Sequence, residues 1–134
     1  MFTRPLKRKL TIFGVLACGL LVASQPAPAL AAASSSAIVN TNGTRAGESW
    51  FNRSNGTHSN KAWFDVYDAK CDAGSVYVEY QINNSGTHQK DNEGGCGTTK
   101  GFNLQTGYFA IVYRTCVNDS FGNHPCSPWV SDHN

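Results

Sequence analysis

Val76, Val78, Tyr80 and Ile82 alternate with Tyr77, Glu79 and Gln81. A period of two puts the four large side chains on one face of a strand and a half-polar set on the other. Asn83-Asn84-Ser85-Gly86 supplies the turn residues that end it. In the segment Tyr108 to Val117, Phe109, Ile111, Tyr113 and Val117 form one face, and Ala110, Val112, Arg114 and Cys116 form the other, which predicts a central strand. Ala62 to Tyr67 reads as a third strand, and Ser49 to Asn52, Thr99 to Leu104 and Ser127 to Val130 are shorter candidates. Gly, Asn, Asp and Ser clusters separate these bursts, and no 3.6-residue period persists over three turns. The pattern predicts an all-β domain over residues 48–134, a small disulfide-stapled β-sandwich or barrel of about six short antiparallel strands.

The stretches before it read differently. Arg4, Lys7, Arg8 and Lys9, the apolar run Leu10 to Ala23 and the small-x-small sequence Ala29-Leu30-Ala31 make residues 1–31 an export signal peptide. The apolar run is shorter than the roughly twenty residues a membrane span requires, so no anchor is expected after cleavage. Val15-Leu16-Ala17-Cys18 loosely resembles a lipidation site, but apolar sequence continues beyond Cys18, which instead fits a small residue of the signal's apolar core. Residues 32–47 are rich in Ala, Ser, Asn, Thr and Gly, with only Ile38-Val39 interrupting, and read as a flexible tail.

Cys71, Cys96, Cys116 and Cys126 follow the signal. An exported chain meets an oxidising environment, and of the three pairings open to four cysteines, sequence separation favours Cys71 with Cys96 and Cys116 with Cys126. Loops of these lengths contribute about 3.5 and about 2.8 kcal/mol in the chain-entropy model. A four-thiolate zinc site lacks any C-x2-C knuckle.

The whole chain carries a formal charge of +2, but from Ala32 onward seven Lys and Arg stand against nine Asp and Glu. The basic residues are scattered singly, so no positive stripe is available to a phosphate backbone and nucleic-acid binding is disfavoured. His58, His88, His124 and His133 fall at no metal-ligand spacing and read as loop residues. Asp91-Asn92-Glu93-Gly94-Gly95 lacks the spaced ligand series of a calcium loop and reads as a turn into Cys96. No cofactor or metal is implied. No Ser occupies a G-x-S-x-G elbow, the cysteines have structural uses, and Glu79 and Glu93 read as surface residues, so the chain reads as non-enzymatic. Sequons such as Asn52-Arg53-Ser54 and Asn118-Asp119-Ser120 read as turn chemistry.

Trp50-Phe51 and Trp63-Phe64 are adjacent pairs in predicted strands, where neighbours face opposite ways. One member of each pair must leave the core, making Trp50 and Trp63 candidates for an aromatic patch that anchors a protein or stacks on sugar rings.

Val66-Tyr67-Asp68, Gly94-Gly95-Cys96, Tyr113-Arg114-Thr115-Cys116 and Cys126-Ser127-Pro128-Trp129 resemble segments of small actinobacterial secreted proteins that carry four cysteines in a β-sandwich-like domain. The resemblance covers about half the chain, and Cys71 lies a few residues beyond the place where such proteins often carry their first cysteine. Some proteins of this type look like adaptor subunits of secreted antagonistic particles, in which a mobile N-terminus engages a partner. That likeness makes Ile38 and Val39 candidates to add a strand to a partner's sheet edge. The expected function is a secreted, non-enzymatic module binding another extracellular protein. The alternatives are a polysaccharide-binding or cell-wall module, and a small inhibitor or toxin with the Val117 to Pro125 loop as its tip.

Overall fold

The computed structural model describes residues 33–134, and the signal peptide expected over 1–31, with Cys18, lies outside them. Eight strands form: β1 Ser35–Thr41, β2 Thr44–Asn52, β3 Trp63–Asp68, β4 Ser75–Ile82, β5 His88–Asn92, β6 Thr99–Asn103, β7 Ala110–Asn118 and β8 Val130–His133. They pair antiparallel into two four-stranded sheets, β1-β2-β3-β6 (sheet A) and β5-β4-β7-β8 (sheet B). The sheets pack face to face, with β1 and β2 over β7 and β3 over β4, so the fold is an all-β sandwich with eight strands rather than about six. No helix among the described residues is long and apolar enough to cross a membrane.

The alternating residues meet between the sheets. Phe51, Phe64 and Val66 of sheet A pack against Val76, Val78, Tyr80, Ile111, Tyr113 and Val117 of sheet B, with Phe109 closing one end. Phe51 lies edge-on to Phe64 and Phe109, with ring centroids 5.6 and 6.3 Å apart. A buried polar pin joins the layers. The Thr115 hydroxyl lies 2.8 Å from both the Ala37 carbonyl and the Ser49 hydroxyl, which satisfies groups that would otherwise cost about 1–3 kcal/mol.

Of the flexible tail expected over residues 32–47, residue 32 lies outside the described residues and the stretch from Ser35 is β1, a tight turn and the start of β2, so backbone pairing is already in place at Ser34 rather than beginning near Glu48. Asn42 and Gly43 carry φ of 52° and 76°, the left-handed pair that two-residue hairpins require. The hairpin buries Ala37, Val39 and Ala46 against the core. These side chains are small, so the segment's composition looks polar although its inward face is not.

The hairpin is irregular at one point. Val39 pairs with Gly47 but Asn40 pairs with Arg45, which leaves Ala46 as an extra residue in β2. Gly47 faces Val76 across the two layers with no room for a side chain. A Cβ there would lie 2.5 Å from Val76 Cγ1 and 3.2 Å from the Tyr67 carbonyl oxygen.

Two disulfides, Cys71–Cys96 and Cys116–Cys126, close loops of the structure, in keeping with an oxidising compartment. Beside the first, Asn92 is buried with all its amide groups used. Its Nδ2 donates to the Val66 and Thr98 carbonyls at 3.0 and 2.9 Å, and its Oδ1 accepts from the Gly94 amide and the Thr98 hydroxyl at 2.9 and 3.2 Å. Asp68 is less well served: Oδ1 accepts from the Lys70 amide at 3.2 Å, while Oδ2 has no hydrogen-bond partner among the described residues. Burial pushes the Asp68 carboxyl up, and the nearby Asp72 adds to the shift against the opposing Lys70 amide.

At the opposite end, Asp132 of β8 ties the start of β1 to sheet B. It accepts from the Ser35 and Ser34 hydroxyls at 2.5 and 2.8 Å, and from the Arg53 guanidinium at 2.5 Å. Burial works against its charge, but the hydrogen bonds from Ser35, Arg53, the His133 amide and Ser34 together hold its carboxyl at about 2. The Tyr113 hydroxyl completes the chain by donating to Ser35 at 2.9 Å. Burial, only partly offset by that bond, pushes the Tyr113 phenol up to about 12.

Candidate functional site

The outer face of sheet A follows from strand register. Ile38, Glu48, Tyr67 and Thr99 form one cross-strand row, and Ser36, Trp50, Asp65 and Gly101 form the next. Asn52, Trp63 and Asn103 form the third. Phe51 and Phe64 point inward and are fully buried, so Trp50 and Trp63 take the outward side.

Trp50 and Tyr67 are diagonal neighbours, with ring centroids 6.2 Å apart and planes tilted by 30°. The Arg45 guanidinium lies 5.5 Å from the Trp50 ring centre and 5.1 Å from that of Tyr67, within cation–π range of both. Its charge is paired with the Glu48 carboxylate. In a regular strand residues three apart face opposite ways. The extra residue Ala46 restores Arg45 to the face that carries Glu48, Trp50 and Tyr67. Ile38, 44% exposed, flanks the cluster from β1.

The remaining candidates are placed otherwise. Val39 lies in the core and has no surface to offer a partner without opening the sheet. Strand β1 as a whole is not a free segment, because it is already paired to β2 and its Ala37 carbonyl is taken by Thr115. Trp63 shares the outer face but is only 5% exposed. The His58 ring stacks on it at 4.1 Å, nearly parallel, and is held there by a 3.1 Å bond to Asn103. His58, Ser59 and Asn60 all have positive φ, between 50° and 57°, a costly arrangement that turns the loop back over the indole. The indole N–H donates to Asp65 Oδ2 at 3.0 Å, and the Asn52 amide donates to the same oxygen at 3.0 Å. Trp63 is therefore a buttress for the sheet rather than a contact residue.

The outer face thus brings together Ile38 and Trp50 of the predicted set, and adds Arg45, Glu48 and Tyr67, which sequence reasoning passed over. Tyr67 was findable, two residues from Asp65 in a predicted strand. Arg45 was not, since its orientation depends on a bulge.

Sheet B presents a smaller counterpart. Arg114 pairs with Glu79 at 2.8 Å and lies 4.6 Å from the ring centre of Trp129. Glu79, Cys116 and Cys126 also come close together, but both sulfurs are committed to their disulfide and are not ligands.

Comparison with protein-family models, curated proteins and solved structures finds no match to this chain.

Proposed function

We propose that the protein is a secreted, non-enzymatic binding module that engages another extracellular protein through the outer face of sheet A. The observation that carries this reading is the Arg45 guanidinium set over the rings of Trp50 and Tyr67, beside the exposed Ile38. Trp, Tyr and Arg are the residues that dominate binding energy at protein interfaces, and they do so when clustered and preorganised. Here Glu48 and the cross-strand neighbours fix all three before any partner arrives. Beyond the His58 loop over Trp63, no strand or helix of the described residues packs on this face. The signal-like leader and the disulfides support an extracellular setting.

The same geometry favours a protein over a polysaccharide on this face. A sugar-stacking platform needs ring faces open to solvent, whereas here the rings are tilted by 30° and share a cation. The adaptor-like role suggested by resemblance then rests on a sheet face instead of a mobile N-terminus.

The test is affinity capture from culture supernatant with the oxidised protein and with Trp50→Ala, Arg45→Ala and Ile38→Asp, each checked for an unchanged unfolding midpoint. A partner held by the parent should be lost from all three variants. Equal capture by the parent and by Trp50→Ala removes sheet A's face from consideration.

A further inference from the structure

The loops at the disulfide-bearing end of the sandwich enclose a pocket of about 210 Å³, separate from the face of sheet A. Thr41 and Asn42 of the hairpin, the loop Lys70 to Gly74, and the loop Asp119 to Phe121 line it, with the largely buried Val117 among the apolar surfaces. We infer that this pocket binds a single hexopyranose residue that carries no acid group.

The polar lining is ordered before a ligand arrives. Asp72 commits Oδ1 to the Gly74 amide at 2.9 Å, and Asp119 commits Oδ1 to the Phe121 and Asn123 amides at 3.0 and 2.8 Å. Neither Oδ2 accepts a hydrogen bond among the described residues; Lys70 Nζ lies 3.7 Å from Asp72 Oδ2. Lys70 Nζ is itself positioned by donating to the Thr41 hydroxyl at 3.0 Å and retains further N–H groups. Asp72, Asp119, Lys70, Thr41 and Ser120 thus bring carboxylates, an ammonium and hydroxyls to the lining of one small space.

The fourth element is Phe121. It is 89% exposed, the largest such value among the large apolar side chains, yet it sits on a turn closed by the Gly122 amide bonding to the Asp119 carbonyl at 3.3 Å. The Cys116–Cys126 disulfide ties the base of that loop. A phenyl ring left in water gives the pocket an apolar surface, which a ligand with an apolar side would cover.

A pyranose matches this set of groups. Its equatorial hydroxyls both donate and accept, so adjacent hydroxyls can span a carboxylate and an ammonium, while its C–H face lies on an aromatic ring. The pocket's size suits one ring. Two carboxylates against one ammonium make it repel an added carboxylate, which excludes uronic acids.

The test uses the oxidised protein, titrated with glucose, galactose, mannose, glucosamine and glucuronate and followed by amide chemical shifts. At least one of the first four should give saturable shifts confined to residues 41–42, 70–74 and 117–123, with glucuronate weaker by about tenfold or more. Phe121→Ala and Asp119→Asn, both outside the core, should each weaken binding by about tenfold, a loss near 1.4 kcal/mol. Trp50→Ala should bind the sugar like the parent, so failure here and failure of the sheet A reading are distinguishable. Absence of saturation with all four sugars overturns the proposal, as does glucuronate binding equal to theirs or unchanged affinity in both loop variants. Binding of n-butylamine as tight as that of glucosamine, with glucose inert, reassigns the pocket to a simple amine and also overturns it.

Discussion

Changing Asp132 to Asn removes one charge from the point where β1, β2 and β8 are tied together. The carboxyl is held at about 2, against an ordinary value of 3.8. A carboxylate whose folded value is depressed stabilises the protein above the unfolded value, and that stability is lost as pH falls through the folded one. The shift corresponds to a stabilisation on the order of 2 kcal/mol at pH 7, most of which is lost by pH 2. The Asp132 side chain is 5% exposed but its Arg53 partner is 47% exposed, so solvent screening takes part of this. Urea unfolding followed by tryptophan fluorescence measures it directly. With a slope of about 1–1.5 kcal/mol per molar for a domain of this size, the midpoint of Asp132→Asn should lie roughly 1–2 M below the parent's at pH 7. The two curves should draw together by pH 2, where the parent's own carboxyl is about half protonated in the folded state. A variant as stable as the parent at neutral pH refutes the reasoning, and so does a gap that stays constant down to pH 2.

Asp68→Asn should act in the opposite sense. Burial raises the Asp68 carboxyl, so the folded state holds its proton more tightly and the parent loses stability as pH rises from 3.8 through the folded value. The variant should be more stable than the parent at pH 7, on the order of 1 kcal/mol, because its amide carries no charge for burial to penalise, with the difference closing below pH 4; urea midpoints at both pH values decide it. Gly47→Ala places a Cβ 2.5 Å from Val76 Cγ1, in reach of a stiff side chain and the Tyr67 backbone. It should cost about 1–3 kcal/mol, read as a lower thermal midpoint, and Val76→Ala in the same chain should recover part of the loss.

The strands that were legible in the sequence are those whose large side chains alternate. β4 and β7 carry their core residues in a strict period, and their inward faces are the expected ones. β5 has no comparable signal, because His88-Gln89-Lys90-Asp91-Asn92 is polar throughout and becomes a strand only by pairing with β4. β1 was hidden for another reason. Asn42-Gly43 is a strong hairpin signal, but the inward residues Ala37 and Ala46 bury too little surface to stand out from a polar background. At the candidate face, the outward turn of Trp50 follows from strand alternation alone. The burial of Trp63 does not, since it depends on a left-handed loop bringing His58 onto the ring from outside the sheet. Pairing of the cysteines was readable because neighbours along the chain are joined, leaving no long-range link to infer.

Ala46 sets the parity of the hairpin. Upstream and downstream of it the chain counts faces in opposite phase, so one inserted methyl-bearing residue decides whether a cation sits among aromatics or points into the interior. Such a surface is changed more readily by gaining or losing a single codon than by any exchange of side chains, and its chemistry is stored in chain length as much as in residue type.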